Sequence, residues 1–145
     1  PTGNEHVDNH TTMDHTSTDG TSSELYRGIM YGTSTGVFNG KVFVRPDAQR
    51  TNAFQQNTNI VADRGASINA KPELEIYADD VKCSHGCTVG QFDLDALFYL
   101  KSRGIDEKSA KALLVEAFLA DVISSVPCTE LREEIMKIYK ERHGW

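Results

Sequence analysis

The feature that most constrains the fold of this chain is a regular spacing between three similar segments, which begin at Val44, Ile60 and Ile76. Each segment opens with an apolar residue and carries Asp three places later, with Pro or Ala directly before that Asp. A strand end followed by a turn former, repeated at a fixed period, is typical of short strands stacked in layers. The pattern therefore predicts a parallel β-helix or solenoid. A meander of antiparallel strands with chance similarity is the alternative.

The composition changes once along the chain. From Val7 to Val89, polar residues and Gly separate short apolar groups, whereas from Asp93 onward Leu, Ala, Glu and Lys dominate. We therefore predict a β region over residues 1–90, as the last part of a β-helix core, and a helical region over residues 91–145. Pro72 cannot donate a backbone hydrogen bond, so we expect it at a corner or a bulge.

The sequence from Asp93 onward predicts three helices. Asp93 and Asp106 stand where a side chain can cap the first and second helix, and Gly104 is expected just past the end of the first. Pro127 ends the second helix, and the third is expected to begin near Thr129. We expect three apolar residues of the third helix to point inward: Leu131, Ile135 and Ile138.

The second helix is apolar on two sides. One stripe follows helical spacing and contains Ala110, Leu113, Leu114, Ala117 and Phe118. The other stripe contains Ala112, Val115, Leu119 and Ile123. Such a helix needs two covers, so either the rest of the chain covers both sides or a partner covers one.

Composition and charge exclude several classes of function. A net charge of -6 argues against nucleic acid as the main partner, and no apolar run is long enough to cross a membrane. Three cysteines without disulfide-framework spacing favour a reducing compartment, with the cytoplasm as the default. No phosphate-binding loop or G-x-S-x-G motif is present, so any ATP chemistry would have to come from another chain. The start at Pro1 suggests a piece of a longer protein, from which any targeting segment would have been removed; the sequence given contains no signal peptide.

The densest group of reactive side chains is Cys83, His85 and Cys87. Thiol and imidazole suit zinc, iron or copper. On an extended strand these residues share a face but stand ~6.6 Å apart, too far for one ion unless Gly86 bends the chain. His85 is therefore either an ordinary, partly buried imidazole or a ligand offered to a site that another chain completes.

Other candidate ligands have simpler interpretations. His6, His10 and His15 are expected at surface positions along a strand, too far apart for one ion. Cys128, which follows a proline, is expected to act as a small apolar side chain and not as a ligand.

Five segments together carry a resemblance to a known family: Ser34 to Val42, Arg45 to Gln49, Asn57 to Asn59, Lys82 to Gly86, and Leu97 to Ile105. From about His6 to Tyr139 the chain resembles the carboxy-terminal part of the SufB/SufD family of iron-sulfur cluster assembly proteins. The Lys-Cys-Ser-His-Gly motif is similar to the SufD side of that family. Where the family has Ala, this chain has Cys87, for which a small filler is the simplest interpretation.

The resemblance implies a right-handed parallel β-helix followed by a helical region, in a scaffold subunit and not an enzyme. It implies pairing with SufB through the β-helix and docking of the ATPase SufC on the helical region. The residues that we expect to dock SufC are Leu97, Phe98, Val115, Leu119 and Ile123. An isolated fragment can also pair with a second copy through an exposed strand edge.

The resemblance also implies a site. His85, and with a weaker case Cys83, match family residues near the SufB interface that are associated with iron or the nascent cluster, so His85 is the candidate for any metal. We expect no tightly bound cofactor in this chain and only transient contact with an iron-sulfur cluster. Two other classes stay open: a secreted β-helix enzyme acting on polysaccharide, and a small metal-binding protein using Cys83, His85 and Cys87.

Overall fold

The structure is a computed structural model that describes residues 1–143 and divides into two compact units, Pro1–Gln91 and Phe92–Trp145. Residues 144 and 145 of the predicted helical region lie outside the described residues. The first unit contains six strands: β1 (His6–His15), β2 (Thr21–Met30), β3 (Thr35–Val44), β4 (Thr51–Val61), β5 (Ser67–Ile76) and β6 (Val81–Gly90).

The six strands form two parallel sheets of three, because each strand pairs with the strand two places along the chain. The first sheet has the order β1-β3-β5 and the second has the order β2-β4-β6. Within the first sheet, for example, Thr35 of β3 pairs with His6 of β1 and with Ser67 of β5. Every pair is parallel, which rules out the antiparallel meander for the described strands.

The regular spacing of the three similar segments is real, but consecutive segments do not stack on each other. Val44 ends β3 and pairs with Ile76 at the end of β5, which belongs to the next segment but one. Ile60 lies between them in sequence but belongs to β4 in the other sheet. The chain alternates between the two sheets. The spacing between consecutive segments therefore corresponds to one strand with its corner, and strands that pair are separated by twice that spacing.

The inner surfaces of the two sheets differ in polarity. In β3 every second residue is buried, and Phe38, Val42 and Val44 give that row its apolar character. The rows of the two sheets face each other, since the rings of Tyr26 and Phe38 lie 4.6 Å apart between centroids. An apolar wall thus packs against a wall that contains three buried amides. The buried row of β4 contains Thr51, Ala53, Gln55, Asn57 and Asn59.

Ion pairs connect successive corners of the first unit. Arg45 binds both carboxylate oxygens of Asp14, and Arg50 binds both of Asp19, at donor-to-acceptor distances between 2.7 and 3.1 Å. The hydrogen bonds from these guanidinium groups hold the pKa of each carboxyl below its usual value. Because the pairs are exposed, they orient the corners and add little to stability.

Pro72 lies inside a strand, so its expected place at a corner or bulge is wrong. It occupies the middle of β5, where it pairs in register with Gly40 of β3. A strand at the edge of a sheet needs ladder bonds on one side only and tolerates proline. In the described structure β5 is such an edge strand, which explains the position.

The second unit contains α1 (Leu94–Ser102), α2 (Glu107–Ser125) and α3 (Thr129–His143). The predicted caps are confirmed: the Asp93 side chain accepts hydrogen bonds from the backbone of Asp95 and Ala96, and Asp106 accepts one from Ser109. Gly104 follows α1 with a φ of 87°, a left-handed conformation that favours glycine. No helix among residues 1–143 is both long and apolar enough to cross a membrane.

The inward faces of α2 and α3 differ from those expected. Val115, placed on the partner stripe, is fully buried together with Ala110, whereas Leu113 of the inward stripe is exposed. In α3, Leu131 and Ile138 are exposed and not inward-facing. Two apolar stripes on one helix cannot be ranked by spacing alone, because the choice depends on the neighbouring helices.

Shortening Val42 should destabilise the first unit. Val42 has no exposed surface and lies in the central apolar cluster, so Val42→Ala removes buried contacts that its neighbours cannot fully replace. We expect the free energy of unfolding in urea to fall by about 2 kcal/mol. The matched control is Val37→Ala on the opposite face of β3, where the side chain is only half-buried. An equal loss in both variants would contradict the placement of the core.

Candidate functional site

The Cys83, His85 and Cys87 side chains share the inner face of β6. Their register partners in β4 are Ala53, Gln55 and Asn57, all of which are buried. Residues paired in register on neighbouring strands of a sheet lie on the same face. The three reactive side chains therefore continue the inner row of β4 into the last strand of the second sheet.

The last strand is covered on one side only. In the described sheet β6 pairs with β4 and with no strand beyond it. As a result His85 and Cys87 are exposed, whereas Cys83 is half-buried against the apolar cluster around Val42. The site lies at the open end of a stack of strands, where a further layer or another chain can reach it.

Both thiols of β6 are in partly apolar surroundings. Burial raises the pKa of Cys83, opposed in part by a hydrogen bond with the backbone of Ala53, and burial also raises the pKa of Cys87. The Cys87 thiol donates to Asn57 Oδ1 at 3.7 Å. A thiol with a raised pKa is a weaker nucleophile and metal ligand at neutral pH than an ordinary one.

His85 continues a column of polar residues across the second sheet. Glu24 of β2 pairs in register with Gln55 of β4, which pairs with His85 of β6. Gln55 Nε2 donates to Glu24 Oε2 at 2.7 Å. Gln55 Oε1 is buried and has no hydrogen-bond partner in the described structure.

The geometry agrees with the expectation that Cys83, His85 and Cys87 do not close around one ion. The strand runs without interruption from Val81 to Gly90, so Gly86 does not bend it sharply. Cys83 and Cys87 are ~13 Å apart at the spacing of an extended strand, too far for all three residues to share one ion through ligand bonds of ~2.0 to 2.3 Å. Among residues 1–143 no group of three or more His, Cys, Asp or Glu side chains could hold one ion.

The other predicted positions are only partly confirmed. His6 and His10 are exposed, and His10 Nε2 lies 2.9 Å from Asp8 Oδ1. His15 is buried, contrary to expectation, with its Nε2 2.9 Å from Ser22 Oγ. Cys128 is exposed and donates to Glu130, so it does not act as the small apolar side chain that we expected.

The residues expected to dock a partner differ in accessibility. Phe98 is 74% exposed, whereas Leu97, Leu119 and Ile123 are half-buried. Val115 is fully buried and cannot belong to a contact surface in this conformation. The largest exposed apolar side chains on α1 are instead Leu94, Phe98 and Tyr99, with the Arg103 guanidinium lying over the Tyr99 ring.

Sequence reasoning missed Glu24 and Gln55, the two residues behind His85. The only signal for them is the strand register, because neither residue belongs to a recognisable motif. Gln55 is followed by Gln56, which is exposed on the opposite face. Two identical residues in succession give no indication in the sequence of which glutamine is buried.

Comparison with known proteins gives one family and several relatives. The family model for the SUF system FeS cluster assembly SufBD core domain matches residues 1–118. The chain is 42% identical over 130 residues to an iron-sulfur cluster assembly SufBD family protein of Synechocystis, and 37% identical over 136 residues to the iron-sulfur cluster assembly protein SufD of Escherichia coli. These alignments cover 90% and 94% of this chain.

A chloroplast protein is also similar. The chain is 40% identical over 116 residues, 79% of its length, to protein ABCI7 of Arabidopsis thaliana. The chain spans 29%, 32% and 24% of the Synechocystis, Escherichia coli and Arabidopsis proteins. Similarity therefore extends over most of this chain but only about a third or less of each relative.

The surroundings of the thiols predict an order of reactivity. Since the thiolate is the species that reacts, a raised pKa slows alkylation at neutral pH. We expect Cys83 to react with iodoacetamide several times more slowly than exposed Cys128 at about pH 7, and its rate to keep rising above about pH 8.5. Variants retaining one cysteine each, analysed by mass spectrometry, provide the measurement. The difference should vanish in urea, and equal rates in the folded protein would contradict the burial of Cys83.

Proposed function

The chain belongs to the SufBD core domain family of the SUF system for iron-sulfur cluster assembly, and we propose that it acts as the carboxy-terminal part of a SufD-type scaffold subunit without catalytic activity of its own. The observation that carries this proposal is the position of His85 on the exposed last strand of a parallel stack. There an imidazole can meet a partner surface. The family membership favours this role over a polysaccharide enzyme or an independent metal-binding protein.

The two sheets are proposed to be two walls of a right-handed parallel β-helix, in which β1 with β2, β3 with β4 and β5 with β6 form successive turns. Support comes from the alternation of the chain between the sheets and from the nearly constant sequence separation of paired residues. In such an arrangement each turn contributes one strand to each sheet. The turns then form a rigid wall that presents its last layer to a partner.

His85 is proposed to contact iron or the nascent cluster as a substrate in transit. The donor set fits this use, because imidazole and thiol both bind iron. The spacing along β6 permits each ion only one or two ligands from this chain. The remaining ligands must therefore come from a partner, and retention in the isolated chain should be weak.

SufB is the proposed partner at the open end of the stack. The edge strand β6 and the corner that follows β5 carry exposed apolar side chains, Val89 and Tyr77. An uncovered strand edge offers backbone donors and acceptors to another strand. At the amino end of the stack, the strand edges of β1 and β2 would permit a second copy of the isolated chain to bind.

SufC is the proposed partner of the helical unit. Leu94, Phe98 and Tyr99 expose more than half of their surfaces on one short helix. Large apolar residues grouped in this way commonly mark a protein interface. We further propose that the protein works in the cytoplasm, where cysteines stay reduced.

Removing one aromatic side chain should weaken SufC binding. We expect Phe98→Ala to raise the dissociation constant for SufC about tenfold or more, because exposed aromatic residues frequently dominate interface energetics. Isothermal titration calorimetry with the full chain measures the change. The matched control is Phe54→Ala, which removes an exposed phenylalanine from the other unit. Equal affinities of the Phe98→Ala variant and the unaltered chain would contradict docking through α1.

Removing the imidazole should impair assembly without unfolding the chain. His85 is exposed on an edge strand, so His85→Ala should leave the chain folded. We expect reduced cluster yield in a reconstituted complex with SufB and SufC, measured as bound iron and acid-labile sulfide. Ser84→Ala, on the opposite face of β6, is the control. Full cluster yield with His85→Ala would count against this site.

A further inference from the structure

We propose that Gln55 and Glu24 act as a positioning pair for His85, so that Gln55 Oε1 accepts one ring N–H and holds the imidazole in a single tautomer. The importance of this tautomer for iron rests on the function proposed above, but the hydrogen bond does not. Neither Gln55 nor Glu24 belongs to any of the five segments that carry the family resemblance.

The first argument is the register. Glu24, Gln55 and His85 occupy matching positions on three neighbouring strands and line one surface depression. Neighbouring strands lie ~4.7 to 4.9 Å apart, a separation that long side chains span easily. In the hydrogen bond that we propose, the exposed His85 ring would turn about its side-chain torsions toward the Gln55 amide.

The second argument is the orientation of the amide. A carboxylate accepts hydrogen bonds but donates none, so the amide nitrogen of Gln55 must be the atom facing Glu24. That contact measures 2.7 Å from Gln55 Nε2 to Glu24 Oε2. The amide oxygen consequently points away from Glu24. His85 also lies on that side, because β4 separates the strand of Glu24, β2, from the strand of His85, β6.

The third argument is the unpaired oxygen. Gln55 is 2% exposed, and its Oε1 is buried with no partner among the described residues. Leaving a buried acceptor unpaired costs about 1 to 3 kcal/mol, which favours any nearby donor. The His85 imidazole always carries at least one N–H and stands at the adjacent register position.

The fourth argument is the space around the amide. A Cβ atom at Gly40 would lie 2.7 Å from Gln55 Nε2 and 2.5 Å from Phe38 Cζ. The opposite sheet therefore leaves room for the amide and confines it at the same time. Gln55 is held by Glu24 on one side and by the backbone of β3 on the other, as a fixed acceptor requires.

The arrangement assigns different roles to the two ring nitrogens. One nitrogen donates to the buried amide, and the other keeps its lone pair and faces the open end of the stack. In metal sites a hydrogen bond to the second nitrogen sets the tautomer and orients the ligand. Glu24 and Gln55 would thereby present His85 in the form that binds a metal ion.

The test is the tautomer of His85 in the full chain. Long-range ¹H–¹⁵N correlation spectra at about pH 8, where a typical imidazole is neutral, distinguish the two tautomers. We expect one dominant tautomer in the unaltered chain and loss of that pattern in Gln55→Leu. Gln56→Leu makes the same change on the exposed face of β4 and should keep the pattern. An unchanged pattern in folded Gln55→Leu, or mixed tautomers in the unaltered chain, would overturn the proposal.

A second pair of variants avoids altering Gln55. Glu24→Gln keeps an acceptor for Gln55 Nε2 and should preserve the tautomer, whereas Glu24→Leu frees the amide and should abolish the preference. These variants decide the question if Gln55→Leu does not fold. Identical spectra of Glu24→Leu and the unaltered chain would overturn the role of Glu24.

Iron titration separates this inference from the proposed function. If the unaltered chain binds Fe²⁺, Gln55→Leu should weaken that affinity about 10- to 100-fold, as for other residues that orient a metal-binding histidine. If the unaltered chain alone binds no Fe²⁺, the titration is repeated on its complex with SufB; no binding there means that the iron role of His85 fails, and the tautomer spectra alone then decide the positioning claim. Unchanged Fe²⁺ affinity in Gln55→Leu would refute a functional effect of the pair.

Discussion

Parallel pairing between strands that lie two places apart in the sequence is the constraint on which the rest of the first unit depends. It brings residues that are distant in sequence into register, as Gln55 with Glu24 and with His85. A slip of one residue would exchange the inner and outer faces of a strand. The apolar cluster, the buried amides and the reactive side chains all occupy their places because this register is kept.

The register also explains why the reactive residues of β6 lie in a row at an uncovered strand and do not converge on one point. Side chains that alternate along one strand cannot converge on one point, so Cys83, His85 and Cys87 are presented as separate donors. Convergence requires a second surface. The scaffold role proposed above would use this arrangement, because β6 alone supplies too few ligands to surround a metal ion.

Much of the secondary structure could be predicted because local chemistry determines it. Asp93, Asp106 and Gly104 act at helix ends through nearby backbone atoms. The stacking partners could not be predicted correctly, since a regular spacing of strands does not state which sheet each strand joins. Val115 was expected on a docking surface but is buried, and the burial of Gln55 was not foreseen. In both cases burial depends on neighbours that are distant in sequence.

Gly40 is a glycine for reasons of volume and not of backbone conformation, since its φ is not positive. It sets the width of the interior at the level of Gln55, where even one methyl group would collide with the amide and with Phe38. A relative with alanine at this position would need a shorter side chain in place of Gln55, and so a different way to orient its histidine. The absence of a side chain at Gly40 in one sheet thus determines which side chain fits at position 55 of the opposite sheet.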